Sequence, residues 1–300
     1  MDRLALMWVL TFLLLPGNLA RAEDKTDPVA EYKTFLASLP KDDPASVTKA
    51  VDQYRAAIVP LDMDRHVKAF LDFLDLYDDI CAALNKSLSQ NQMKDAEETR
   101  KLQNAGLEAA DDGYGQLYVR GIPEHIPGQF SLYLPKSIQR YLGLRAVESR
   151  EGWAPDAALY ISYARIAERT ANWDRYVTDF PNSIFRKDAV LLRAVCLFLL
   201  LFGVNNTPLD ARTEDKQNNI RVVYENFMRD HPNTYAGVFV RKRYECLKKE
   251  GFFDEAPSKK AKVIPSCNMD VVIKSIEGGA QAVYHGINLE RTLRLAGQKE

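Results

Sequence analysis

The residues of this chain that could do chemistry are few and far apart. The clearest candidate is Glu148, in the stretch LRAVESREGWAPDA (residues 144–157), where a helical pattern runs into Glu148-Ser149 and is followed by an aromatic, a proline and an alanine. One carboxyl at a helix end can act as a general acid and then as a base when the substrate carries its own nucleophile. As an ordinary residue, Glu148 would face solvent near the end of its helix. The four histidines, His66, His125, His231 and His285, stand alone. His231, in DHPNT, reads as a turn residue. His125 has the better claim to a role, because PEHIPG lies in an irregular segment. Around it fall Tyr114, Tyr118, Phe130, Tyr133 and Tyr141. These aromatics could wall a binding groove or pack a core.

The stretch around Glu148 is similar to the start of the lytic transglycosylase motif. That resemblance implies that Glu148 would act on a glycan bond, with Ser149 as its neighbour. The family continues with a glycine-bearing segment that shapes the glycan cleft. Here ALYISYARIAERTANW follows, without glycine, and Arg150-Glu151 stands where an aromatic is expected. Phosphate-binding loops, GxSxG and HExxH are absent from the sequence. The scattered Cys and His show no metal-ligand spacing. No catalytic residue, metal site or cofactor is therefore expected, with Glu148 as the one exception to test.

The cysteines Cys81, Cys196, Cys246 and Cys267 are widely spaced. Cys81 and Cys196 sit in apolar helical patterns and read as buried thiols. Cys246 and Cys267 are the pair to test as a disulfide, because the chain opens like an exported protein. Arg3 is followed by an apolar run from Leu4 to Leu15, then Pro16-Gly17 and Ala20-Arg21-Ala22 before Glu23. This is the pattern of a secretory signal peptide cut between Ala22 and Glu23. The run is too short to span a bilayer comfortably. No cysteine lies near the cut to carry a lipid. The expectation is a periplasmic or secreted chain with no stable membrane span.

Helical spacing dominates the chain that carries these residues. It predicts helices over Val29–Leu39, 47–58, 62–88, 92–108, 135–149, from Pro155 toward Tyr176, 184–203, 214–230 and 234–250. Along 62–88 the residues Val67, Leu71, Leu74, Tyr77, Cys81 and Leu84 read as the core stripe. The glycine- and proline-rich stretch 109–135 reads as a hairpin or ordered loop. The segment 184–203 is the most hydrophobic, and Arg193 interrupts it, which marks a buried core helix. Residues 257–300 read as a linker and a small C-terminal segment, with Asn288 the cap of a terminal helix over 288–295. The three expected units are a signal peptide at 1–22, a helical domain at 23–256, and this tail.

Two segments share a pattern. Asp179-Phe180-Pro181-Asn182-Ser183 matches Asp230-His231-Pro232-Asn233-Thr234 at an offset of 51 residues. In each, an aromatic-bearing helix ends before proline, whose preceding residue avoids the α region. Ser183 or Thr234 then caps the next helix. YKTFLASLPKDDPASVTKAVDQY, from Tyr32, is a looser third copy with Ser46 as the cap candidate. At these residues the chain resembles the tetratricopeptide-like α-solenoid proteins of the bacterial envelope. The resemblance covers mainly residues 155–250, and its 51-residue spacing exceeds the usual repeat. It implies an all-α fold of antiparallel helix pairs stacked as a solenoid, and a scaffold that holds a partner segment in a groove.

Composition is consistent with that reading. Lys+Arg number 40 against 41 Asp+Glu, which argues against a nucleic-acid binder. The leading expectation is an exported, non-enzymatic scaffold that binds an envelope protein or peptide near residues 110–180. The alternatives are a peptidoglycan-active enzyme using Glu148 and a periplasmic carrier of a small ligand with the tyrosine-rich segment as its pocket.

Overall fold

The computed structural model describes residues 27–111, 115–152, 159–204, 207–209 and 214–253. The expected signal peptide with its Ala22–Glu23 cut, Tyr114, Cys267 and the tail 257–300 lie outside the described residues.

Helix starts follow from side chains that accept the free N–H groups of a first turn. Asp27 opens α1 (Pro28–Ser38) and Asp62 opens α3 (Met63–Ser87), with α2 (Ala45–Ala57) between them. The stretch expected as one helix over 92–108 divides. Ser89 and Gln92 form a reciprocal cap on α4 (Gln90–Lys94), and Asp95 caps α5 (Ala96–Asn104) through the Glu97 and Glu98 amides. Asp95 thus ends one helix and starts the next.

The hairpin anticipated over 109–135 is real but begins earlier. Strands β1 (Leu107–Asp111) and β2 (Leu117–Gly121) pair antiparallel, Ala109 opposite Val119. A short helix α6 (His125–Phe130) and a single tight turn at Ser131–Tyr133 follow. The outer edge of β2 is closed by side chains. The Asn85 amide bonds both the N–H and the carbonyl of Val119 at 2.7 Å, and Gln90 does the same at Leu117. Two amides therefore complete the ladder that a third strand would otherwise supply.

The remaining helices are α7 (Lys136–Glu151), α8 (Tyr163–Asp179), α9 (Arg186–Phe202), α10 (Glu214–Asp230) and α11 (Tyr235–Lys249). Two-residue strands β3 (Gly203–Val204) and β4 (Thr207–Pro208) pair after α9. The described chain is predominantly helical, as expected. Among the described residues no helix is long and apolar enough to cross a membrane.

Two apolar cores form. One gathers α1–α3, the hairpin and α7 around Tyr54, Phe70, Phe73 and Phe130. The other gathers α10 and α11 around Leu200, Tyr224 and Val240. Helices α8 and α9 contribute to both, so this pair joins them. On α3 the buried stripe runs through Phe70, Phe73, Leu76, Tyr77, Ile80 and Leu84. Of the expected stripe, Tyr77 and Leu84 are buried, while Val67, Leu74 and Cys81 sit at its margin and Leu71 is exposed. Both rows have helical spacing, and only the packing partner selects between them.

The interior end of α9 shows how an apolar helix can stop inside a protein. Its last four carbonyls need partners. Gly203 N–H donates to Leu199, the Tyr224 hydroxyl to Leu200 at 2.8 Å, Arg243 Nε to Leu201 at 3.1 Å and Leu209 N–H to Phe202 at 3.3 Å. Arg243, buried, also places its charge at the negative end of the helix dipole.

Candidate functional site

The corners identified in the sequence organise the C-terminal half. Thr234 caps α11 through the Gly237 N–H at 3.1 Å, as expected. Ser183 does not cap α9, which starts later, at Arg186. Its hydroxyl instead takes the Phe185 N–H at 3.2 Å and contacts the Tyr176 hydroxyl at 2.6 Å. Ser46 also departs from expectation. It lies inside α2 and donates to the Pro40 carbonyl at 2.7 Å, while Asp43 receives the Ala45 N–H. Gly237 permits the tight second corner, since a Cβ there would lie 1.9 Å from the His231 carbonyl oxygen.

The 51-residue offset extends beyond the corners into side-chain contacts. The Tyr176 and Phe180 rings lie 5.2 Å apart, and their counterparts Phe227 and His231 lie 4.9 Å apart. Asp174 on α8 accepts from Arg193 on α9 at 3.1 Å. Their counterparts, Glu225 on α10 and Tyr244 on α11, are bonded at 2.6 Å. Each helix pair is therefore braced by an acid on its first helix and a donor on its second.

Asp174 also reaches the next pair. Its second oxygen accepts the Ala236 N–H at 3.0 Å, at the start of α11. The Arg193 guanidinium lies 4.0 Å from the centre of the Tyr235 ring. One carboxylate, 3 % exposed, thus holds α8, α9 and α11 together. It acts on the positive end of α11, where the free N–H groups and the helix dipole favour an anion.

A second polar seam joins α7 to α8. Glu151 takes Arg165 Nε at 2.8 Å and Arg169 at 2.8 Å, and these guanidinium groups pull its carboxyl down to about 2. Arg169 also donates to the Gly152 carbonyl at 3.0 Å. One turn earlier, Glu148 Oε1 accepts from Trp173 Nε1 at 2.5 Å, and Oε2 lies 3.6 Å from Arg145 without a hydrogen bond. Burial pushes the Glu148 carboxyl up, opposed by Arg145, Trp173 and Arg169.

This corrects the reading of Glu148 as a solvent-facing residue. It is 2 % exposed, enclosed between α7 and α8. A general acid must reach the proton-accepting atom of its substrate. In this conformation Glu148 reaches Trp173 instead, and the nearby Glu151 is committed to two arginines.

The aromatic group proposed as a groove wall does not stay together. Phe130 is fully buried, its ring 4.5 Å from Phe73 and 4.9 Å from Tyr54. Tyr141 is buried and stacked on Phe185 at 4.2 Å. Both are core residues, because the turn at 131–133 folds the segment inward rather than leaving it as an open loop. Tyr133 is half-buried, and its carbonyl faces His66 Nδ1 at 2.7 Å. The His125 ring lies against Gly106, half-buried, and its Nε2 has no partner. Burial, and then Arg55, lower its affinity for a proton. Tyr118, on β2, remains at the surface, and Leu132 in the turn is 89 % exposed. Of the proposed wall, Tyr118 and the half-buried Tyr133 and His125 are left near the surface, with Leu132 added.

Cys196 is buried, as expected, while Cys81 is only half-buried, and neither forms a disulfide. Cys246 is disulfide-bonded. Among the described residues no group of three His, Cys, Asp or Glu could hold a metal ion. Sequence reasoning missed the braces at Asp174–Arg193 and Glu225–Tyr244. The signal was present: both pairs obey the same offset as the corners, and extending that alignment along the helices would have exposed them.

Comparison of the chain with protein-family models, with curated proteins and with solved structures finds no match in any of the three.

Proposed function

We propose that this protein is an exported, non-enzymatic helical scaffold that binds an envelope protein or peptide, and that its helix pairs form a tetratricopeptide-like array. The observation that carries this reading is the repetition of the brace. Asp174–Arg193 and Glu225–Tyr244 occupy equivalent places in successive helix pairs, and Asp174 fastens one pair to the next. Arrays of this kind gain stability from neighbour-to-neighbour contacts and present extended surfaces to partners. The partner surface lies within residues 110–180, beside α6 around Leu132. An almost fully exposed leucine in a tight turn is favourably covered by an apolar partner segment. The signal-peptide pattern of residues 1–22 supports export to the periplasm or beyond the cell.

The test is an affinity capture with the mature chain, residues 23–300, from an envelope extract, run beside Leu132→Asp and Tyr118→Asp variants. A stoichiometric protein held by the wild type and lost with either variant supports the reading. A partner retained by both variants moves the surface elsewhere. Cleavage of purified cell walls by the wild type but not by Glu148→Gln would replace the scaffold with the glycan enzyme.

A further inference from the structure

His66, on α3, is buried, and both of its ring nitrogens meet backbone carbonyls. Nδ1 lies 2.7 Å from the Tyr133 oxygen, and Nε2 lies 3.3 Å from the Val59 oxygen. A neutral imidazole carries one N–H. It donates to one of these carbonyls and turns a lone pair toward the other, whereas the imidazolium donates to both. The shorter contact marks Nδ1 as the donor in the neutral form. What a proton adds is therefore the bond from Nε2 to Val59, and it makes both bonds charge-assisted.

The two carbonyls belong to different parts of the chain. Val59 lies in the link between α2 and α3, and Tyr133 ends the turn whose Leu132 is 89 % exposed. Around the ring, α2 supplies the Tyr54 phenol and the turn supplies the Tyr133 phenol, each ring centre 6.2 Å away. Burial raises the Tyr54 hydroxyl, which stays protonated and donates to the His66 carbonyl at 3.2 Å. Neighbouring charges are engaged elsewhere. Asp62 accepts the Arg65 N–H, Arg55 of α2 bonds Gln129 of α6, and Lys33 of α1 pairs with Asp72 farther along α3. Among the described residues no carboxylate forms an ion pair with the ring, so a proton placed on it is answered by the two carbonyls. We infer that His66 is a proton-dependent clasp: on taking up a proton it fastens the Leu132 turn to the α2–α3 link and fixes the surface that this turn presents. That the turn meets a partner rests on the proposed function; the clasp itself does not.

Hydrogen–deuterium exchange on the mature chain, residues 23–300, reads the clasp without a partner, so the scaffold reading can fail while this one stands. The Tyr133 and Leu134 amides, corrected for the intrinsic effect of pH, should exchange about fivefold more slowly at about pH 5.5 than at about pH 8, the range in which histidine gains its charge. In His66→Gln, a polar side chain that does not titrate, that difference should disappear. His125, on the preceding α6, is present in both proteins, so what is lost belongs to His66. If the variant misfolds, nitrogen NMR of the wild-type ring decides alone: at about pH 5.5 both ring nitrogens should carry slowly exchanging protons. A ring that stays singly protonated there would overturn the inference. So would a turn whose exchange responds to pH equally in the wild type and in His66→Gln.

Discussion

Replacing Asp174 with alanine removes a carboxylate that meets two donors on two different helices. The Arg193 side chain is 14 % exposed, and its Nε has no partner even in the wild type. Breaking a buried ion pair from one side costs about 3–5 kcal/mol, because the surviving charge stays buried. The Ala236 N–H, also buried, loses its acceptor, a further cost of about 1–3 kcal/mol. The two terms overlap, since water that enters the vacated space serves both donors. Asp174→Ala should therefore lower stability by about 4 kcal/mol, and Asp174→Asn, which keeps one acceptor, by about 2 kcal/mol. Urea denaturation of the full mature chain would read both. Adding Arg193→Met to Asp174→Ala removes the stranded charge, and the double variant should recover about 1.5–3 kcal/mol relative to the sum of the singles. A loss below about 0.5 kcal/mol for Asp174→Ala, the range of ordinary surface changes, would refute the brace. Strict additivity would refute the pairing.

Three further outcomes follow from the site. Glu151 titrates at about 2 in the fold, below its ordinary 4.5, so its pairing stabilises the protein above the ordinary value and is lost as pH falls through about 2. Glu151→Gln should melt lower than the wild type at neutral pH, and the gap should close between those values; a gap constant with pH would refute the assignment. In residues 23–300 carrying Trp153→Phe, the emission of Trp173 should report protonation of Glu148, with a midpoint above 4.5 because burial raises that carboxyl. A midpoint at or below 4.5, or a transition that survives Glu148→Gln, would disprove the contact. Finally, Gly106 has φ +73° and a Cβ there would lie 2.1 Å from the His125 ring. Gly106→Ala should cost about 2 kcal/mol or more, of which about 1–2 kcal/mol is backbone strain. His125→Ala should relieve only the clash, and full recovery in the double variant would show that the left-handed backbone is not the limiting term.

Much of the fold was legible because its signals are local. Helix periodicity located α1–α3, α7 and α9–α11 to within a few residues, while the helix expected from Pro155 begins at Tyr163, where Ser162 caps it; proline, glycine and capping residues marked the corners. The interior character of α9 followed from its apolar run, which only Arg193 interrupts. The candidate site was less legible. Its half that repeats, Asp174–Arg193 with Glu225–Tyr244, could have been read by carrying the 51-residue offset along the helices. Its half that does not repeat, Glu148 with Trp173 and Glu151 with Arg165 and Arg169, depends on how α7 lies against α8.

Local signals in the amino-acid sequence marked α1–α3, α7 and α9–α11 and the two Pro-Asn corners, since each rests on contacts within a few residues. Long-range packing encloses Glu148, makes Phe130 and Tyr141 core residues and turns the Phe70–Phe73 row of α3 inward. Each of these concerns a side chain compatible with two environments. The choice between them is made by long-range packing, where the gain from burying a ring or pairing a charge depends on the neighbour that the rest of the chain delivers.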